Sequence, residues 1–186
     1  MIPGANLTAK WGTVARMDTP FAAFGLADAL LRGVADLGFQ TPTPVQEAVI
    51  PPLMAQRDVM ARADTGTGKT AAYGLPLLHH LSQTPWERRA TRFRSLVLTP
   101  TRELAAQIGD AFRDYGRHLD VGITVVHGGV DWEPQVAALA GGTDVLIATP
   151  GRLEELLTRR QATAEVLDTF VLDEADRMLD MGFMPD

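Results

Sequence analysis

Short apolar runs alternate along this chain with longer stretches in which apolar residues recur every three or four positions. The first pattern reads as buried β-strand and the second as amphipathic helix. Leu26, Leu30, Leu31, Val34 and Leu37 fall on one helical face, with Gly38 placed to end it. Thr43 can cap a helix opening at Pro44, and Gln46, three residues on, completes a capping-box pattern. Residues 58–62 read as a short strand, and residues 70–81, with Ala71, Leu75, Leu78 and Leu81, as a helix. The alternation then repeats: strand 96–99 with helix 101–118, strand 121–126 with helix 131–140, strand 144–149 with a helix opening at Pro150, and strand 169–172 with helix 177–181. This predicts an α/β fold, a mostly parallel sheet with helices on both faces. In such sheets ligands bind at the carboxyl ends of the strands.

The polar signals fall on that edge. Ala63, Asp64, Thr65, Gly66, Thr67, Gly68, Lys69 and Thr70 read as a P-loop between a strand and a helix, with Ala63 where the motif often has its first glycine. Gly66 and Gly68 allow positive φ and leave no Cβ in the way, so backbone N–H groups can close round a phosphate beside the positive helix end. Lys69 then reaches the outer phosphates, and the Thr70 hydroxyl can ligate Mg²⁺. Pro100, Thr101 and Arg102 follow the next predicted strand, and Gly128 and Gly129 the one after. Thr149, Pro150, Gly151 and Arg152 follow a third, and Asp173 and Glu174 the last. Any one of these turns is ordinary punctuation; gathered on one edge they read as a site. Beside a P-loop, Asp173 is the candidate Mg²⁺ partner and Glu174 the candidate base or water-positioner. The structural alternative is a pair of acidic residues favoured by a helix N-terminus.

Composition narrows the partners. The chain has 186 residues, 46% of them apolar, enough for one globular unit over 20–186 after a loose segment at 1–19. A formal charge of −6 excludes a protein that coats nucleic acid by charge alone. With no cysteine there is neither a disulfide framework nor a thiolate metal site, which fits a reducing compartment. Nothing reads as a signal peptide or a membrane span, so the expectation is a soluble cytoplasmic protein. Residues 83–94 are polar, with Arg88, Arg89, Arg92 and Arg94 around Trp86 and Phe93. They read as a solvated surface loop, with contact to RNA phosphate as the alternative. On pattern alone Phe21 is a core aromatic and Gln46 a helix cap, though a primary amide could also read the edge of adenine.

Taken together, these residues resemble the motifs of DEAD-box ATP-dependent RNA helicases, in the family's order. Residues 38–46 resemble the adenine-reading Q motif, 63–70 the P-loop, and 100–104 the first RNA-contact motif. Gly128-Gly129 and Thr149 to Arg152 look like two further RNA-contact motifs, and residues 173–176 spell the family's name. The flanks at 104–107 and 177–183 are similar too, and the resemblance runs from Phe21 to the last residue. It implies an amino-terminal RecA-like P-loop NTPase domain that uses ATP and Mg²⁺. Gln46 becomes the adenine reader, and Phe21 the aromatic that stacks on adenine, with Phe24 its competitor. Pro100, Thr101, Arg102, Gly128, Gly129, Thr149, Pro150, Gly151 and Arg152 become holders of the backbone of single-stranded or short-duplex RNA, independent of sequence. Asp176 becomes a link to other motifs. The resemblance also implies that a Ser-Ala-Thr motif and a second RecA-like domain carrying an arginine finger belong beyond residue 186. The chain would then be an incomplete domain, lacking a strand that lies between the P-loop strand and the strand ending at Asp173. The expectation is a helicase in the parent protein or, as the alternative, a fragment that holds nucleotide without turning it over and is marginally stable alone.

Overall fold

The computed structural model describes residues 19–84 and 86–183, so the expected loose segment falls, apart from Thr19, outside the described residues. A 3₁₀ turn, Pro20–Phe24, leads into α1 (Asp28–Asp36), α2 (Pro44–Met54) and α3 (Lys69–Gln83). Strands and helices then alternate: β1 (Ser95–Leu98), α4 (Arg102–Tyr115), β2 (Ile123–Val126), α5 (Trp132–Ala140), β3 (Val145–Ala148), α6 (Pro150–Thr158), β4 (Thr169–Leu172) and α7 (Ala175–Asp180). The four strands form one sheet in the order β2-β3-β1-β4, all parallel, with Leu98 beside both Ala148 and Leu172.

The pleat divides the core in two. Val97, Val145 and Ile147 point into a cluster with Leu30 and Val34 of α1, Ile50 of α2, Leu75 and Leu78 of α3, and Ile108 and Phe112 of α4. Leu96, Leu98, Leu146 and Ala148 point the other way, against Leu139 of α5 and Leu153 and Leu156 of α6. All residues of β1 and β3 are buried, as central parallel strands covered on both faces must be. Gly33 allows the closest approach within the first layer: a Cβ there would run into the carbonyl oxygen of Tyr115 in α4.

Two expectations are corrected. Residues 58–62 form no strand; Val59 is exposed and Met60 wholly so. A strand is stable only with a neighbour to complete its ladder, and among the described residues none pairs with this segment. β4 is correspondingly an edge: Phe170 and Leu172 stand 49% and 43% exposed, where a covered strand would bury both. The polar stretch before β1 is a solvated loop only in part: Glu87 and Arg89 stand in water, while Trp86, Arg88 and Arg94 are tied down. Asp144, just before β3, accepts from Trp86 Nε1, from Arg88 Nε at 2.7 Å and from the Gly122 N–H. Arg94, buried just before β1, pairs with Asp168 and donates to the Thr84 carbonyl. Those residues precede their strands, so this ion-paired clamp closes the amino ends of the sheet, opposite the predicted ligand edge.

Candidate functional site

The ladder itself sets the site's front row. Past the last strand residues, the N–H groups of Thr99, Thr149 and Asp173 donate to the carbonyls of Ala148, Val126 and Leu98. Each chain segment therefore leaves the sheet at the same level, and the turns behind these residues emerge side by side.

The P-loop is folded on itself. Gly66 and Gly68 take positive φ of 78° and 89°, and Gly68 is the N-cap of α3. Lys69, first in the helix, turns its amine back 2.6 Å to the Ala63 carbonyl, and the Thr67 hydroxyl donates to the Asp64 carbonyl. Asp64 and Thr65 are exposed, and Thr70 is half-buried at the helix start. The leading N–H groups of α3 have no intrahelical acceptor, which makes this end an anion seat.

Gln46 is 3% exposed and does two things at once. Its Oε1 accepts the Thr43 N–H at 2.9 Å, and its Nε2 donates to the Gly68 carbonyl at 3.2 Å. The Thr43 hydroxyl sits in the reciprocal capping position without a closed bond. The amide keeps one further N–H and one oxygen lone pair. Phe21 is fully buried, packed edge-on against Phe24 at 5.9 Å and against Phe39, and offers no open face. Of the two rings weighed for stacking on adenine, only Phe24 keeps exposed area.

At the end of β4, Asp173 has a donor on each oxygen: Oδ1 accepts the Glu174 N–H at 3.0 Å, and Oδ2 the Tyr73 hydroxyl at 2.9 Å. Tyr73 belongs to α3, so this bond joins the P-loop helix to the strand-end acid. Glu174 has the left-handed backbone, φ 53° and ψ 48°, a costly conformation for a residue with a Cβ. Its carboxylate meets Arg177 at 3.1 Å. Asp176 is exposed on the first turn of α7 and accepts the Arg177 N–H. Among the described residues no three His, Cys, Asp or Glu side chains gather as a metal cage. One carboxylate and one helix-start hydroxyl, both hard oxygen donors, suit Mg²⁺, which keeps waters and leans on substrate phosphates.

The remaining turns line one open groove: Pro100, Arg102, Gly128, Thr149, Pro150, Gly151 and Arg152, with Glu155 and Phe183. Arg102 is exposed, and a Cβ on Gly129 would meet its guanidinium at 2.6 Å, so the glycine makes room for it. The Thr101 hydroxyl caps α4 by accepting from Leu104 N, while that of Thr149 makes no cap bond. Arg152 behaves differently from its neighbours. It is buried, donates to Glu155 and to the Val130 carbonyl, and lies 5.5 Å from the Trp132 ring centre. It ties the Gly128–Gly129 turn to α6, and its Nη1 has no partner.

Sequence reasoning missed Tyr73, Arg177 and the Asp144 clamp. Tyr73 had a signal: it lies one helical turn after Thr70, a polar-tipped aromatic in an apolar helix.

A parallel sheet with helices on both faces, a phosphate loop opening a helix and an acid at a nearby strand end define a P-loop protein of the RecA-like class. Residues 43–186 match the family of DEAD/DEAH box helicases, and the chain belongs to it. It is 43% identical over 176 residues to the DEAD-box ATP-dependent RNA helicase 52A of rice, covering 89% of this chain and 29% of the relative. It is 43% identical over 168 residues to the ATP-dependent RNA helicase SrmB of Escherichia coli, covering 90% and 38%. To the RNA helicase CrhR of Synechocystis it is 39% identical over 170 residues, covering 91% and 33%. The chain thus spans between 29% and 38% of the length of these relatives.

Proposed function

We propose that this chain is the amino-terminal ATP- and RNA-binding part of a cytoplasmic ATP-dependent RNA helicase, which couples ATP binding and hydrolysis to local RNA unwinding. The observation that carries the reading is the bond from Tyr73 to Asp173. It holds the helix that opens at the P-loop against the acid that a phosphate-transfer site needs. The absence of cysteine fits the compartment, and among the described residues no helix is long and apolar enough to cross a membrane.

On this reading ATP enters with its phosphates over the start of α3. The Lys69 amine leaves the Ala63 carbonyl for the β- and γ-phosphates, and the N–H groups of Gly66 to Thr70 close round them. Bound Mg²⁺ supplies neutralisation of the developing phosphate charge, with Thr70 and Asp173 as its protein partners. Glu174 leaves Arg177 to orient the attacking water and accept its proton. Gln46 reads adenine with its spare N–H and lone pair, and Phe24 rather than the buried Phe21 stacks on the base.

RNA follows the groove. Arg102, the Thr149 hydroxyl and the backbone N–H groups at Gly129 and Gly151 hold phosphates and sugars of a single strand without reading bases. Pro100, Thr101, Gly128 and Pro150 shape those turns, and Arg152 acts by fixing the Gly128–Gly129 turn. Asp176 faces outward, suited to linking this site to the second RecA-like domain, which supplies the remaining half of the machine.

The experiment is a titration with ADP and GDP, each with Mg²⁺, on wild type and Gln46→Ala. Preference for ADP that disappears in the variant is expected. Equal binding of the two nucleotides by wild type would sink the adenine-reader assignment. The second reading, a nucleotide-holding module with no turnover of its own, is favoured by the open edge of β4 and the unpaired segment 58–62. RNA-stimulated hydrolysis by these 186 residues alone at helicase rates would exclude it.

A further inference from the structure

Tyr73 stands on α3 and carries the bond to Asp173. Its ring packs on Phe112, centroids 6.0 Å apart, which fixes the phenol in place between α3 and α4. The hydroxyl leaves that apolar contact on the side of Thr70, one helical turn back, and ends 2.9 Å from Asp173 Oδ2. Burial first, and then the charge of Asp173, push the phenol far above its ordinary range.

The other oxygen is held as well, Oδ1 by the Glu174 N–H at 3.0 Å. A carboxylate accepts through about four lone-pair sites, so two stay open while the plane of the group is fixed from both ends. Without the phenol, Oδ2 would be anchored by nothing among the described residues, and the carboxylate could turn about its last bond. Fixing it before the ion arrives removes an ordering cost from metal binding.

We propose that Tyr73 is a positioning residue for divalent-cation binding, its hydroxyl holding the Asp173 carboxylate in the orientation the cation requires. This rests on the reading that Asp173 helps hold Mg²⁺, and the test separates the two.

In the full-length protein, ADP binding is titrated at increasing Mg²⁺, and bound Mn²⁺ is counted by electron paramagnetic resonance in the presence of ADP. The variants are Tyr73→Phe, Asp173→Asn and, as control, Tyr115→Phe, a buried tyrosine with no contact to Asp173. Tyr73→Phe is expected to raise the Mg²⁺ midpoint about three- to tenfold, the worth of one hydrogen bond. Metal-free ADP binding and melting should match Tyr115→Phe, because the ring is retained. A wild-type midpoint in Tyr73→Phe together with a raised one in Asp173→Asn overturns the role of Tyr73 and leaves the Asp173 reading standing. Wild-type midpoints in both overturn the Asp173 reading, and this inference with it. Should Tyr73→Phe melt far below the control, 3-fluorotyrosine at position 73 keeps ring, hydroxyl and fold while strengthening the donor. A midpoint displaced from wild type then supports the role, and an unchanged one overturns it.

Discussion

The side-chain nitrogen of Gln46 donates to the carbonyl oxygen of Gly68 at 3.2 Å, so the residue that starts α2 also holds the turn that starts α3. Gly68 has φ 89°, which any other residue would adopt only with strain, and a Cβ there would also stand 2.5 Å from that nitrogen and push the amide aside. Gln46→Glu separates the two roles. A carboxylate still accepts the Thr43 N–H and keeps the helix start, but it turns an oxygen toward the Gly68 carbonyl in place of a donor. Melting should fall only modestly, by about 1–3 kcal/mol of stability, while preference for ADP over GDP is lost. Retained preference in parallel titrations would show that the amide does not read adenine.

Lys69→Ala removes the amine that now rests on the Ala63 carbonyl and would meet phosphate. A charge-assisted bond of this kind is worth about 1.5–3 kcal/mol, so ADP affinity should fall roughly 10- to 100-fold, measured by calorimetry.

Glu174→Gln keeps the size of the side chain and removes only its basicity. In the full-length protein ATP should bind as before and be hydrolysed about 10²–10⁴-fold more slowly. Ordinary turnover in single-turnover kinetics would remove Glu174 from the reaction.

Gly33→Ala would usually help a helix, because glycine carries an entropic penalty of about 1 kcal/mol there. Here the new methyl meets the Tyr115 carbonyl oxygen, a backbone atom that cannot swing aside. Overpacking should cost about 1–3 kcal/mol net and lower Tm by roughly 2–4 °C for each of those. Thermal unfolding followed by circular dichroism measures it.

His79 accepts the Ala27 N–H through Nδ1 at 3.0 Å, just before α1. Burial first, and then His80, lower its pKa from 6.5, and Nδ1 can accept this bond only while it carries no proton. A folded value below the unfolded one means the contribution is full above about pH 6.5 and fades as pH falls through the folded value. The Tm gap between wild type and His79→Ala should therefore narrow between about pH 7.5 and pH 5.5. A gap constant with pH would show that the bond does not depend on the proton.

Much of this was legible because the same residues carry local and global information. Leu96 to Leu98 had to be a strand covered on both sides, since the run is apolar without interruption, and Gly38 and Pro44 marked helix ends by backbone chemistry alone. The turn at Gly66 and Gly68 was legible because positive φ, here 78° and 89°, falls most readily to glycine. What failed depended on partners distant in sequence. Residues 58–62 carry strand-like residues and, among the described residues, no neighbour to pair with. Phe21 reads as a core aromatic on pattern alone and is buried against Phe24 and Phe39; it was the resemblance that moved it to the base. Arg94 and Asp168 stand 74 positions apart, and no local pattern announces that they meet.

The clamp that closes the amino ends of the strands offers a use unrelated to stability. Between its residues Trp86 and Arg88, Glu87 has 80% of its side chain in water and, among the described residues, pairs only with Arg89, whose side chain is 62% exposed. Such a pair contributes about 0–1 kcal/mol, so little is lost by replacing it. A dye or a surface tether attached at position 87 sits at the far end of the sheet from the P-loop and the groove. An immobilised molecule would then present its whole ligand edge to solution, with the anchor too remote to compete with nucleotide or RNA.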